Sequence, residues 1–454
     1  MARLAGQLNH HHVSLSSFHP SGASSSLISS MTQSLESRFP QELVDAIIDA
    51  VRDASPSRSD EVKNLSSCSL VARSFLPRTR SHMFYNVTFA TAEDIERYHA
   101  MCLASPLIPA AARRLGLRSN DTSNVIDNPL LLAILKLAND IQTLVFNQIS
   151  WDTLPQAVLD TISSYPLTTI MLHDVVIPSI PSFFSFLQNC STREEIELLL
   201  SQTLRVESDG PGEDLTVERM PRDKPLVVKS LVVNCPDTSR EAIRAILLST
   251  SSPFNLQNLR STQFLILPTD GFIADGVGTW PTLTLLRNAI ASTNPQMLRS
   301  VEAFSLLQRP PSFLLYLPSV EFLSFSLSDY PFNMLGFQPI AVLHWWIDIL
   351  IHSKSYDLKE LKVMAFFWTA ESWIISDEAL KEWTRLDDVL SSPKYHSLKL
   401  VGIHTSHTER IDESAQKEEM ISALTASMPG LAKRRVLSIQ HKGTLFPGIT
   451  LPVV

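Results

Sequence analysis

Aliphatic residues between positions 40 and 52 recur at one-, three- and four-residue steps: Leu43, Val44, Ile47, Ile48 and Val51. Gln41, Asp45, Asp49 and Arg52 fall elsewhere, so the spacing predicts an amphipathic helix with one apolar stripe. Pro40 suits the first helical position, where its missing N–H is not needed, and Glu42 suits the positive end of the helix dipole. Ser55-Pro56-Ser57 ends that helix, and Asp60 is the expected N-cap of a second one beginning at Glu61. Val62, Leu65 and the run Cys68-Ser69-Leu70-Val71 give the second helix an apolar side that leads to Phe75. Pro77 is expected to end or kink the chain segment there, and Arg78, Arg80 and His82 to form a basic patch before Phe84. Such a stretch is too small to be a domain and too apolar to be a linker. The pattern therefore predicts a docking module.

From Asn86 onward the period changes. Short apolar pieces of the form Leu-x-x-Leu-x-Leu recur, each reading as a buried strand: IQTLVF from Ile141, LTTIML from Leu167, VVKSLVV from Val227 and LRSVEAFSL from Leu298. Others are PSVEFLSFSL from Pro318, LKELKVMAF from Leu358, YHSLKLVGI from Tyr395 and RRVLSI from Arg434. Helix-compatible segments lie between them, at Ser182–Cys190, Val342–His352 and Asp412–Met428. No such unit can bury its own apolar side, so the alternation predicts stacked strand–helix units sharing one core. The charged segment Ser201–Lys224, with Asp-Gly-Pro-Gly inside it, is expected to be an exposed loop.

The residues Phe39-Pro40, Leu43, Ile47, Leu65, Cys68, Leu70-Val71, Arg73 and Phe75-Leu76 together resemble the F-box, most closely that of the many F-box proteins of mushroom-forming fungi. Phe39 stands where the family usually has Leu, and Phe75 where it often has Trp; both keep a large apolar side chain. The resemblance implies about three short helices that dock on a Skp-family adaptor and, through it, on the cullin of a ubiquitin ligase. The adaptor-binding residues it implies are Phe39, Pro40, Leu43, Ile47, Leu65, Leu70, Val71 and Phe75, undivided between the adaptor and the module's own interior. The strand–helix alternation behind this segment is similar to the degenerate leucine-rich-repeat arrays that such proteins carry. The expected fold is thus α/β: a three-helix F-box over 35–85, then an irregular leucine-rich-repeat-like solenoid over 86–454. A Ser- and His-rich tail over 1–34, with His10-His11-His12 and Ser24-Ser25-Ser26, is expected to be disordered, and Met31 is an alternative start.

Composition removes other classes. The chain has 454 residues, 44% of them hydrophobic, and a formal charge of −8, so it lacks the basic field of a nucleic-acid binder. The longest apolar runs fall short of a membrane span, and the first residues hold no signal-peptide core, so a cytoplasmic or nuclear location is expected. Cys68, Cys102, Cys190 and Cys235 form no Cys-x-x-Cys pair and are expected to be reduced. No phosphate loop, nucleophile elbow or His-Glu-x-x-His occurs. His404 and His407 lie in a polar, loop-like stretch without a third ligand, and Asp387-Asp388 reads as a solvated helix face. No catalytic residue, cofactor or metal is therefore expected. The functional expectation is a substrate-recognition adaptor of a Skp–cullin–F-box ligase whose repeat region binds a target protein. A repeat-based binding scaffold acting outside any ligase is the alternative.

Overall fold

The computed structural model describes residues 40–55, 57–119, 125–190, 195–206, 225–236, 240–248, 252–267, 280–305, 310–317, 319–328, 338–353, 357–367, 373–407 and 413–441. The chain divides into two compact units, residues 1–142 and 143–454. Both mix helices with parallel strands. No helix among the described residues is long and apolar enough to cross a membrane.

The first unit opens with α1 (Gln41–Asp53), α2 (Arg58–Ser69), a 3-10 turn (Arg73–Phe75) and α3 (Leu76–Met83). It continues with β1 (Asn86–Phe89), α4 (Ala92–Ala104), α5 (Leu107–Ala111), β2 (Arg114–Arg118) and α6 (Pro129–Leu137). Pro40 is the N-cap of α1, one position earlier than expected, and its carbonyl accepts the N–H groups of Leu43 (3.0 Å) and Val44 (3.3 Å). Ser57, not Asp60, caps α2. Its hydroxyl accepts the Asp60 N–H (3.1 Å) and donates to the Asp60 carboxylate (2.6 Å), so Asp60 serves as the acidic residue of the first turn. Pro77 begins a helix rather than ending one, because in the first turn of α3 its missing N–H has no partner to lose. β1 and β2 run parallel, and their inward residues Val87, Phe89, Leu115 and Leu117 are buried.

The second unit is built on one parallel sheet whose strand order follows chain order. Its strands are β3 (Thr143–Asn147), β4 (Thr169–Ile177), β5 (Glu195–Val206), β6 (Leu226–Pro236), β7 (Phe254–Asn255) and β8 (Ser261–Leu267). Then come β9 (Ser300–Ser305), β10 (Phe322–Ser328), β11 (Glu360–Phe367), β12 (Leu400–His407) and β13 (Leu437–His441), with β7 and β8 both pairing along β6. The connecting helices are α7 (Gln156–Ser163), α8 (Ile180–Asn189), α9 (Arg240–Leu248), α10 (Trp280–Ala291), α11 (Pro339–His352), α12 (Asp377–Ser391), α13 (Glu413–Ser427) and α14 (Pro429–Lys433).

Alternation along the strands puts Phe146, Leu172, Leu200, Val233, Phe264, Ala303, Phe325, Val363 and Ile403 in one lateral row, all of them buried. Helices cover this face: Trp346 of α11 stacks on Phe325 at 4.7 Å, with its ring plane 7° off parallel. Each such side chain withdrawn from water contributes about 1.5–3 kcal/mol before the entropy of ordering is subtracted. Register is reinforced at the strand entries, where each flanking residue donates its N–H to its counterpart one strand earlier: Arg299 to Arg260, Glu321 to Arg299, Lys359 to Glu321 and Lys399 to Lys359, all at 2.8 Å.

Three expectations are corrected in this unit. Ser201–Val206 is the second half of β5 rather than the start of a loop, because Leu204 alternates inward and is buried; residues 207–224 lie outside the described residues. His404 and His407 stand on β12, not in a loop, since Val401, Ile403 and Thr405 of that strand fill the covered face. Asp387 is buried rather than solvated. Its carboxylate accepts the N–H groups of Gly430 (2.8 Å) and Leu431 (2.7 Å), capping α14 from the neighbouring helix.

Candidate docking surface

The three helices of the first unit close around Val44, Ile48 and Leu65, against which Phe75 and Met83 pack. Leu65 is fully buried and Phe75 half-buried, so these two of the eight expected adaptor-binding residues serve the module's own interior. The remaining aliphatic positions do not. Leu43 is 52% exposed, Ile47 48%, Leu70 81% and Val71 63%. Pro40 is exposed at the head of α1, and Phe39 lies outside the described residues.

Helix geometry explains the division. At about 100° per residue, Val44, Ile48 and Val51 occupy one arc of α1, while Leu43, Ala46, Ile47 and Ala50 occupy the adjoining one. The first arc turns inward, with Val51 half-buried at its border; all four residues of the second are exposed. The apolar side of α1 is thus two stripes rather than the single one that periodicity predicted. Ala46 and Ala50 were not among the expected site residues, although their three-residue spacing from Leu43 and Ile47 is legible in the chain.

Both exposed pairs, Leu43 with Ile47 and Leu70 with Val71, belong to this helical module. Gln41 at the head of α1 donates its side-chain N–H to the carbonyl of Ser74 at 3.1 Å. That bond holds the start of α1 beside the 3-10 turn that comes directly after Leu70 and Val71. Their uncovered surface amounts to about two and a half aliphatic side chains, and its complete burial would contribute about 4–7 kcal/mol before ordering costs.

Electrostatics fix the frame beneath. Asp49 on α1 accepts a two-pronged bond from the Arg78 guanidinium of α3 (2.8 and 2.7 Å) and lies 2.6 Å from His82 Nε2. Those hydrogen bonds, Arg78 first and His82 second, hold the Asp49 carboxyl well below the usual carboxylate range, and Asp49 in turn raises the Arg78 pKa. Arg52 approaches the other ring nitrogen of His82 at 3.4 Å. The basic patch expected at Arg78, Arg80 and His82 is therefore not a patch. His82 is buried and Arg78 is paired, because Asp49, one helix away, claims both.

In the second unit, a groove of about 720 Å³ is lined by Pro310, Pro311, Pro339, Trp345, Trp373 and carboxylates of α11 and α12. Two of those carboxylates are engaged: Arg385 donates to Asp348 (2.5 Å), and Glu382 lies 3.1 Å from His344. Among the described residues no group of three or more His, Cys, Asp or Glu side chains could hold a metal ion. No family model matches the chain, and no curated protein matches it.

Proposed function

We propose that this protein is a substrate-recognition adaptor of a Skp–cullin–F-box ubiquitin ligase, with an F-box over residues 35–85 and a leucine-rich-repeat-like solenoid over 86–454. The observation that carries the reading is the exposure of Leu43, Ile47, Leu70 and Val71 on a helical module whose interior is already filled by Val44, Ile48, Leu65 and Phe75. Exposed aliphatic groups at helical spacing are what an apolar, helix-on-helix partner surface requires. The F-box resemblance of residues 39–76 implies that this partner is a Skp-family adaptor. Sequential parallel strands, most of them separated by helices among the described residues, support the solenoid half of the reading. Holding a target beside a ubiquitin-charged enzyme raises the effective concentration of the target lysine, so the adaptor accelerates transfer without chemistry of its own.

The test is co-purification of the full chain with a recombinant Skp-family adaptor, comparing wild type with Leu43→Asp and Leu70→Asp. Both positions are more than half exposed, and Leu43 sits in the first turn of α1, where an acid is tolerated. Both variants should keep their helical circular dichroism and lose the adaptor at least 100-fold. Recovery of the adaptor at wild-type level by both variants would remove the assignment. Recovery of adaptor without cullin would favour the scaffold alternative.

A further inference from the structure

The second face of the parallel sheet carries a row of side chains that the fold leaves unengaged. Register aligns Gln263 of β8 with Glu302 of β9, Glu302 with Ser324 of β10, and Ser324 with Lys362 of β11. Their sequence neighbours on these strands turn to the helix-covered face: Leu323 and Phe325 flank Ser324 and are fully buried, with Phe325 under Trp346. The row itself faces the other way. Gln263, Glu302 and Lys362 are half-buried, and Ser324 lies fully buried at the floor between its longer neighbours.

None of these four side chains has a hydrogen-bond partner among the described residues, and the Ser324 hydroxyl is buried without one. Glu302 and Lys362 stand on either side of Ser324 and influence one another electrostatically, yet they do not close into an ion pair. Burial raises the Glu302 pKa, and Lys362 opposes the rise. Native interiors rarely leave a hydroxyl as buried as that of Ser324 unsatisfied, and its place between two charges that do not pair calls for a partner that supplies the missing bonds.

The chemistry of the row restricts that partner. An amide, a carboxylate, a hydroxyl and an ammonium succeed one another at strand spacing, about 4.8 Å per step. Glu302 and Lys362 are two steps apart, about 9.6 Å between backbones. Residues i and i+2 of an extended chain share a face about 6.8 Å apart, and a lysine stem spans the difference. The row is formally neutral, and its carboxylate would repel phosphates, which argues against nucleic acid or an anionic lipid surface.

We propose that Gln263, Glu302, Ser324 and Lys362 bind an extended segment of a partner protein that carries a basic and an acidic side chain two residues apart. The basic group meets Glu302, the acidic group meets Lys362, and the peptide backbone meets Ser324 and Gln263. This deepens the target-binding half of the adaptor reading and rests on it for the identity of the partner as a ligase target.

The test uses the full-length chain on an array of 12-residue synthetic peptides. Each holds Lys-x-Asp, Asp-x-Lys, Lys-x-Lys, Asp-x-Asp or Ala-x-Ala at the centre of a Gly/Ser/Ala frame. One mixed-charge order should bind at least tenfold more protein than the like-charged and neutral sets. Glu302→Gln and Lys362→Met should each reduce that signal to the neutral level, and the double variant E302K/K362E should shift preference to the opposite order. Ser324→Ala should lower peptide binding several-fold with no loss of thermal stability, because the hydroxyl it removes has no bond within the protein. Tryptophan-fluorescence melting verifies that each variant is folded. A wild type without preference for mixed charge, or folded variants with unchanged profiles, would overturn the proposal. Adaptor co-purification of the same variants is read separately: its retention alongside lost peptide binding keeps this site distinct from the docking surface, and its failure in the wild type would sink the adaptor reading alone.

Discussion

Asp49 is the point at which the docking module's frame can be loosened without touching its apolar surface. Asp49→Asn keeps the shape of the side chain but removes the charge that receives Arg78 and His82, and it places an N–H group where only acceptors are wanted. A hydrogen bond to a charged group contributes about 1.5–3 kcal/mol in general, but the Asp49 side chain is one-third exposed, and solvent screening lowers the figure. The expected loss is about 1–2 kcal/mol in the local stability of α1 against α3. All seven tryptophans lie at position 151 or beyond, so tryptophan fluorescence reads only the second unit. Hydrogen exchange by mass spectrometry is the suitable assay, because protection in peptides covering 41–53 and 76–83 tracks the local opening equilibrium. At pH 7 the variant should lose about 5–30-fold of protection there, while its tryptophan melt stays in place. The pH dependence has a definite sign. The folded-state pKa of Asp49 lies below its unfolded value of about 3.9, so its stabilisation is complete above that value and declines as pH falls toward the folded pKa. The gap between wild type and Asp49→Asn should therefore narrow below about pH 4. Equal protection at neutral pH, or a gap that widens in acid, would contradict this role for Asp49.

Two further substitutions probe the interior of each unit. Leu65→Ala empties a fully buried position beside Val44 and Ile48 and should cost about 2–5 kcal/mol, seen as collapsed protection across α1 to α3, whereas Leu70→Asp should leave that protection intact. Asp387→Ala strips two N–H groups of α14, that of Leu431 buried and that of Gly430 part-buried, of their acceptor and should destabilise the second unit by about 2–4 kcal/mol; Gly430→Ala should act in the same direction, since its new Cβ would lie 2.4 Å from Ser391 Oγ. Both effects should appear as lower midpoints in the tryptophan melt.

Much of the strand pattern was legible because a buried strand reads locally. The pieces beginning near Ile141, Leu167, Val227, Leu298, Pro318, Leu358, Tyr395 and Arg434 all overlap strands, and the segments at 182–190, 342–352 and 412–428 all overlap helices. Part of what failed depended on a second segment far along the chain, and part on local backbone direction. Asp387 reads as solvated until Gly430 and Leu431, more than forty residues on, bring it two unpaired N–H groups. Arg78 and His82 read as a patch until Asp49 claims them. Ser57 and Asp60 both have capping side chains, and only the backbone direction chooses between them. The polar row on the sheet was invisible for the same reason: from Gln263 to Lys362 its members are separated by 22 to 39 residues, and only the register brings them together.

Periodicity on α1 counted apolar residues without saying which of them have neighbours. A three-helix module can turn only part of such a wide apolar side inward. Val44 and Ile48 take that share, and Leu43, Ala46, Ile47 and Ala50 are left in water. Ala46 and Ala50 are exposed, and Leu43 and Ile47 keep about half of their surface in water, so polar residues there would cost the interior little and improve solubility. Folding therefore gives no reason for leucine and isoleucine at positions 43 and 47, nor for leucine and valine at 70 and 71, where exposure is greatest. Strands in the second unit show the opposite economy: their apolar rows are covered almost completely. Among the described residues, the first unit exposes seven large aliphatic side chains, Leu103, Leu107 and Leu137 besides these four, against Leu314, Ile351 and Leu400 in the second; on the reading proposed above, the four at 43, 47, 70 and 71 are the share that an adaptor would cover.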